Sequence, residues 1–383
     1  MRVHFQMLGC RLNEAELQGW VRDFTAAGHE VVDASAEADL VVFNTCAVTA
    51  EAVRKSRRMI RRARRANPAA RLVVTGCYGT LERDEAGALL GVDRVVDNRD
   101  KHDLLTRVAP AAAPGERGAV AVAPPRLGRG RDRAFVKVQD GCRHRCSYCV
   151  VTLARGEERS RPVAELVGEV AALHASGVNE VVLTGVHVGG YGSDTGGSLA
   201  GLVAALLADT DLPRLRLASL EPWAIDDALL ACYADTRLLP HLHLPLQSGS
   251  DRVLRRMARR CRRDAFRALV ARVRDAVPGI HLTTDVIAGF PGEREADWRE
   301  SLALVEEIAF GDLHVFPFSP RDGTRAATLS DPVPTAVRRR RAAEMQALGD
   351  RLRRTHLEAQ VGRVAAVLLE GEAGASPAAG YTP

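Results

Sequence analysis

Four β-rich runs in this chain lead directly into cysteines. Residues 3–7 run to Cys10 in MLGCRLN, 40–44 to Cys46 in FNTCAVT, and 72–75 to Cys77 in VTGCYGT. Residues 135–138 run to the loop GCRHRCSYCV at 141–150. Helical patterns at 14–27, 52–66 and 82–90 separate the early strands, and 95–96 reads as a fourth strand. Strands alternating with helices predict a parallel, doubly wound sheet. Ligands gather at the carboxyl ends of such strands. Parallel strands bring those ends to one edge, so Cys10, Cys46 and Cys77 can meet at one point. The bland alternative is three buried cysteines acting as small hydrophobes.

Cys142, Cys146 and Cys149 stand in a CxxxCxxC spacing with Tyr148 beside the last. Structural zinc takes four Cys or His ligands, in pairs. Iron–sulfur cubanes are held by thiolates, and three would leave one iron open to chelate a substrate. The spacing therefore favours a cubane. The competing readings are a zinc knuckle, for which His144 is badly placed, and inert thiols.

From residue 135 a β/α alternation continues for nearly two hundred residues. Strands are expected at 135–138, 180–183, 214–218, 241–244, 281–287 and 313–316. Helices are expected at 163–175, 199–207, 225–234, 252–259, 263–277 and 295–308. Six units predict a barrel that is not closed, since a complete one has eight. Functional residues in barrels follow the strand ends, as the cysteine loop does. The domain reading is 1–108 for the first α/β domain and 109–133 for an Ala/Pro/Gly/Arg-rich linker. The partial barrel then covers 134–330, an Arg-rich helical segment 331–360, and a short tail 361–383 with a strand-like run at 364–369.

The 383 residues have an ordinary globular balance, 46% hydrophobic and 26% charged. No apolar run is long enough for a bilayer, and no basic-then-apolar leader opens the chain. A cytoplasmic protein without a membrane partner is expected. Eight cysteines in that reducing compartment favour metal or catalysis over disulfides. Two of them, Cys232 and Cys261, fall in helical patterns and read as non-ligands. The net charge of +5 suits a polyanionic partner. The run Arg54, Lys55, Arg57, Arg58, Arg61, Arg62, Arg64 and Arg65 is either a solvated helix face or a phosphate-binding surface.

The loop Cys142–Cys149 resembles the signature of radical S-adenosylmethionine (SAM) enzymes. Cys10, Cys46 and Cys77 ahead of it resemble the methylthiotransferases of that superfamily. Further matches, in order, are RGEERSRP, LTGVHVGGYG, ASLEPW, HLHLPLQSGS, DVIAGFPGE and HVFPFSPRDGT. LGCRLN, NTCAVT, TGCYGT and TGVHVGGYG look most like the enzymes acting on N6-threonylcarbamoyladenosine in tRNA. The isopentenyladenosine enzymes usually show Gln-Asn-Val where this chain has Gly185-Val186-His187-Val188. The family ends in a small β-barrel RNA-binding module (TRAM), of which only about the first strand is expected here.

The resemblance implies an N-terminal α/β domain, a partial (β/α)6 radical SAM barrel and a truncated or absent TRAM barrel. It implies two [4Fe–4S] clusters, one on Cys142, Cys146 and Cys149 and one on Cys10, Cys46 and Cys77. The first would bind SAM and yield a 5′-deoxyadenosyl radical, a step no side-chain acid or base can perform. The second would carry the inserted sulfur, and a second SAM the methyl group. Gly185, Gly189 and Gly190 would let backbone approach the methionine end of SAM. Ser219 and Glu221 would bond its ribose or amino group, and Gln247 and Ser248 would contact SAM or substrate. Gly289, in the turn before Glu293, would shape the adenine pocket. Arg161 would take a carboxylate or phosphate bidentately, while Arg159 equally suits an ion pair. Implied partners are the tRNA anticodon stem-loop, a low-potential electron donor such as a flavodoxin or ferredoxin, and a sulfur donor. The rival functions are the same chemistry on isopentenyladenosine or a ribosomal-protein aspartate, and a non-enzymatic iron–sulfur carrier or sensor.

Overall fold

The computed structural model describes residues 1–109, 132–370 and 379–383. The expected linker lies almost wholly outside the described residues.

The first domain carries β1 (Arg2–Met7), β2 (Glu30–Val31), β3 (Leu40–Thr45), β4 (Arg71–Thr75) and β5 (Arg94–Val95). They form one parallel sheet in the order β2-β1-β3-β4-β5. Successive side chains of a strand point to opposite faces. Leu40 and Val42 join Trp20, Phe24 and Leu104 in one core, while Val41 and Phe43 join Val53, Ile60 and Tyr78 in another. Both faces are thus covered by helices, as a parallel sheet requires. The helices are α1 (Arg11–Ala26), α2 (Ala50–Ala66), α3 (Gly76–Leu81), α4 (Arg83–Gly87) and α5 (Leu104–Val108). Helix α2 starts at Thr49, whose side chain accepts from Ala52 N at 3.1 Å, satisfying one free amide of the first turn.

The second domain holds β6 (Arg133–Asp140), β7 (Arg159–Ser160), β8 (Glu180–Gly185), β9 (Arg214–Leu217), β10 (His241–His243), β11 (His281–Ala288) and β12 (Asp312–Pro317). The order β7-β6-β8-β9 continues through Leu220 N to His243 O at 2.9 Å into β10-β11-β12. All pairs are parallel except β6–β7, so the six expected strands form one open, curved sheet. Its outer face is sealed by α7 (Val163–Ala175), α8 (Leu199–Asp209), α9 (Asp227–Ala231), α11 (Arg263–Ala276) and α12 (Glu295–Ile308), while α6 (Val151–Arg155) packs on α3 of the first domain and α10 (Asp251–Arg256) places Val253 with Phe290 and Phe318. Helix α13 (Thr335–Glu358) crosses β11 and β12. Helix α1 lies on the inner face of β6, where Ala15 packs with Phe135, Val182 and Ala218.

Several expected boundaries shift for local reasons. The helix expected at 252–259 ends at Arg256, because Ala258 turns left-handed (φ 57°) and Arg259 swings inward. The one expected at 225–234 has only α9 and a following 3-10 turn at Cys232–Ala234. The tail strand expected from 364 begins at Leu368, as β13 (Leu368–Glu370), paired antiparallel with β14 (Ala379–Tyr381). Val364 is fully exposed and has no strand partner among the described residues.

Candidate functional site

The parallel register fixes the first trio. Met7 pairs with Asn44 and Asn44 with Thr75, so β1, β3 and β4 end at one level. Cys10, Cys46 and Cys77 follow those ends within three residues. Cys10 precedes α1 and is exposed; Cys46 and Cys77 are buried. A glycine is needed at 76: its φ is 91°, and a Cβ there would lie 2.3 Å from Thr45 O. Burial pushes the Cys46 thiol up to about 11, with further upward pressure from Cys77 and Cys10 nearby.

The second trio hangs from β6. Gly141 has φ 74°, and a Cβ would overlap Glu157 O at 1.8 Å, so only glycine makes this bend. The loop is pinned by Cys142 N to Gly156 O (3.0 Å), Cys149 N to Cys146 O (3.1 Å) and Ser147 N to Met257 O (2.9 Å). Tyr148 faces Phe290, which packs on Phe318 and Met257 to form an apolar wall. Burial pushes Cys142 up to about 11 and Cys149 up to about 12.

Three thiols per site, with Cys46 in one and Cys142 and Cys149 in the other pushed toward the neutral form by burial, suit a group that brings its own positive charge. Thiolate is the form that binds metal, and iron restores it. The residues present therefore fit a cubane at each trio. His144 turns its ring edge-on to His187 (4.5 Å between centroids) and Trp223 (5.3 Å), away from a fourth-ligand role among the cysteines. His187 Nδ1 lies 2.7 Å from Glu158 Oε1.

A buried polar bridge ties the trios together. Arg155, six residues past Cys149, donates to Glu16 Oε1 (2.9 Å), Asp140 Oδ1 (3.0 Å) and Asn13 Oδ1 (3.1 Å). Asn13 follows Cys10 by one turn of α1. Lys101 Nζ adds a contact to Glu16 at 2.6 Å and donates to Asn98 Oδ1 at 2.8 Å. Asn98 in turn donates to Ala154 O at 2.9 Å and sits 3.9 Å from Cys77 Sγ. Burial opposes ionisation of Glu16, yet Arg155, Lys101 and Lys137 hold its carboxyl well below the usual range.

The other expected contact residues meet varied surroundings. Glu221 pairs with Arg259, Oε1 to Nη1 at 2.9 Å, and Arg259 Nη1 is 4.0 Å from Cys146 Sγ. Gln247 takes φ 68°, a strained value for its type, and bridges to β11. Ser219 lies exposed beside His243. Ser248 is buried against Ser301, Oγ to Oγ 3.3 Å. Gly185, Gly189 and Gly190 face Gln139, Ala224 and His187, each within 3 Å of a would-be Cβ, and Gly289 faces Arg338. Arg161 donates to Glu169 Oε2 (2.7 Å) and Lys137 O (3.0 Å). Arg159 lies in β7 opposite Asp140. Glu293 is buried against Arg341 at 2.8 Å, its carboxyl pushed up to about 7 by burial. Cys232 and Cys261 pack against the barrel core, outside both trios. Sequence reasoning missed Arg155 as a bridge and Arg259 altogether. Both sit in Arg-rich surroundings, where a buried arginine reads like any other.

Residues 2–97 match the family described as uncharacterized protein family UPF0004, and 136–305 match the radical SAM superfamily. The chain is 37% identical over 363 residues to "Threonylcarbamoyladenosine tRNA methylthiotransferase MtaB" of Bacillus subtilis (strain 168), covering 91% of this chain and 80% of that one. It is 38% identical over 377 residues to "tRNA-2-methylthio-N(6)-dimethylallyladenosine synthase" of Novosphingobium aromaticivorans, covering 94% and 85%. Among solved structures, the radical SAM methyltransferase TsrM of Kitasatospora setae shares the fold with a TM-score of 0.59 at 18% identity, covering 83% of this chain and 74% of that one.

Proposed function

The chain belongs to the radical SAM methylthiotransferase family, and on that footing we propose that it adds a methylthio group to C2 of N6-threonylcarbamoyladenosine at position 37 of tRNA. It is a transferase whose cofactors are SAM and [4Fe–4S] clusters. The observation that carries the reading is the pair of three-thiol sites joined by Arg155. A carrier cluster is held by four cysteines, whereas each trio supplies three and so would leave one iron for a substrate.

Cys142, Cys146 and Cys149 would hold one cluster, and Cys10, Cys46 and Cys77 the other. When bound, the clusters and SAM supply the radical, sulfur and methyl chemistry that no side chain can. The chain's own residues do the positioning. Arg155, Glu16 and Asn13 fix the spacing of the two trios, since a buried, fully bonded network resists deformation. Arg259, paired with Glu221, sets a positive charge beside Cys146. The Tyr148–Phe290–Phe318 wall keeps water from the back of the loop. A cytoplasmic site of action, a flavodoxin- or ferredoxin-like electron donor and a separate sulfur donor belong to the same proposal. No helix among the described residues is long and apolar enough to cross a membrane.

The test is incubation of anaerobically reconstituted enzyme with SAM, reductant and sulfide, using tRNA carrying either N6-threonylcarbamoyladenosine or N6-dimethylallyladenosine. Nucleoside mass spectrometry should find an SCH3 in place of hydrogen on the first. The Novosphingobium relative keeps the second substrate as the alternative. Modification of a ribosomal-protein aspartate instead, or no 5′-deoxyadenosine at all, defeats the proposal.

A further inference from the structure

The two relatives' names differ in the group on adenosine N6. A threonylcarbamoyl group carries a free carboxylate; a dimethylallyl group is a hydrocarbon. A chain that takes the first should place an uncommitted cation where that group lies. C2 and C6, which bears N6, flank N1 on the same six-membered ring, so the N6 group must lie close to the sulfur delivered at C2.

Arg11 is the residue after Cys10, at the start of α1. Its side chain turns into the barrel, with Cζ 5.6 Å from the centre of the Phe135 ring. Among the described residues its guanidinium makes no hydrogen bond and no ion pair. The basic side chains nearby are committed: Arg133, Arg214 and Arg216 each place Nε within 3.0 Å of a Glu180 oxygen. Three guanidiniums on one carboxylate leave this end of the barrel positive. A cavity of about 240 Å³ opens here, lined by Arg11, Glu14, Arg133, Phe135, Glu370 and Tyr381.

We propose that this cavity seats the N6 substituent of the substrate, with Arg11 taking its carboxylate and Phe135 walling its apolar part. The inference rests on the methylthiotransferase reading above and names the residue that selects the acidic substrate. An arginine fork matches a carboxylate bidentately, and an ester cannot reproduce the pair. The hydrocarbon substituent would leave Arg11 desolvated and unpaired, which is the stronger source of discrimination.

The experiment uses the full, cluster-reconstituted chain and three synthetic anticodon stem-loops: the threonylcarbamoyl acid, its methyl ester, and the dimethylallyl analogue. KM and kcat are measured separately. For the unsubstituted enzyme the ester should raise KM by roughly ten- to a hundredfold with kcat little changed. Arg11→Gln should raise the KM of the acid to that of the ester, and Arg11→Lys should recover part of the difference. Iron content of each variant reports whether the neighbouring cysteine still holds its cluster. Equal KM for acid and ester in the unsubstituted enzyme overturns the role of Arg11 while leaving the methylthiotransferase reading intact. Turnover of the dimethylallyl loop alone overturns the substrate reading and this inference with it.

Discussion

Arg155 Nη1 lies 2.9 Å from Glu16 Oε1, with both side chains almost wholly shielded from solvent. One belongs to the barrel and the other to the first domain, so this contact is the bolt between the two cysteine trios. Removing one partner of a buried pair strands the other charge. We expect Arg155→Met to cost roughly 3–5 kcal/mol. Lys101 and Lys137 would still face Glu16, which puts the expected loss toward the lower end. Thermal unfolding followed by domain-specific proteolysis checks it. A change within measurement error would mean the domains are joined elsewhere.

Asp297 accepts from Arg294 N at 2.8 Å and from Ser250 Oγ at 2.7 Å, and it pairs with Arg252. Burial opposes its charge, but these bonds bring its carboxyl down to about 2. A group depressed in the folded state contributes stability above its unfolded value and loses it as pH falls through the folded one. Asp297→Asn should therefore be less stable than the parent by about 2 kcal/mol at neutral pH. The gap should close between about pH 4 and pH 2. Paired denaturation curves across that range decide the matter.

Arg259 Nη1 sits 4.0 Å from Cys146 Sγ. A positive charge there favours the reduced, more negative cluster, and hydrogen bonds to sulfur tune cluster potentials. Arg259→Gln should shift the potential of the barrel cluster negative, by spectroelectrochemical titration, and leave the other cluster unmoved. A shift in both, or in neither, would contradict the assignment.

Helix α2 buries Val53, Ser56, Ile60 and Ala63. Arg57 and Arg64 are used in pairs with Glu82 and Asp93. Arg58, Arg61 and Arg62 make no ion pair among the described residues. If they meet tRNA phosphates, replacing all three with Gln should lower the slope of log affinity against log salt by about 2 to 3. Affinity should fall alike for different tRNA sequences. An unchanged slope would make this a solvated face.

Much of the architecture could be read from the chain because two regularities overlap. Strand runs such as 40–43 and 72–74 are continuously apolar, as strands covered on both faces must be, and each leads within three residues to a cysteine. The parallel rule then brings Cys10, Cys46 and Cys77 together without any knowledge of contacts. What stayed hidden depends on direction. Ser248 follows a strand end, yet its hydroxyl turns to Ser301 because Gln247 adopts a left-handed backbone. Gly189 lies in a loop after β8, but its missing Cβ makes room for Ala224. The lysines are only three, so basic side chains are nearly all arginine. Nothing in such a composition marks Arg155 or Arg259 as buried and committed.

The most direct measurement compares nucleosides from tRNA treated with the parent enzyme and with Cys46→Ala, both supplied with SAM and reductant, while 5′-deoxyadenosine is counted in the same tubes. The account predicts the methylthiolated nucleoside from the parent only, with deoxyadenosine formed by both proteins. Methylthiolated product from the Cys46 variant, or none from a parent that carries its full iron, would contradict it.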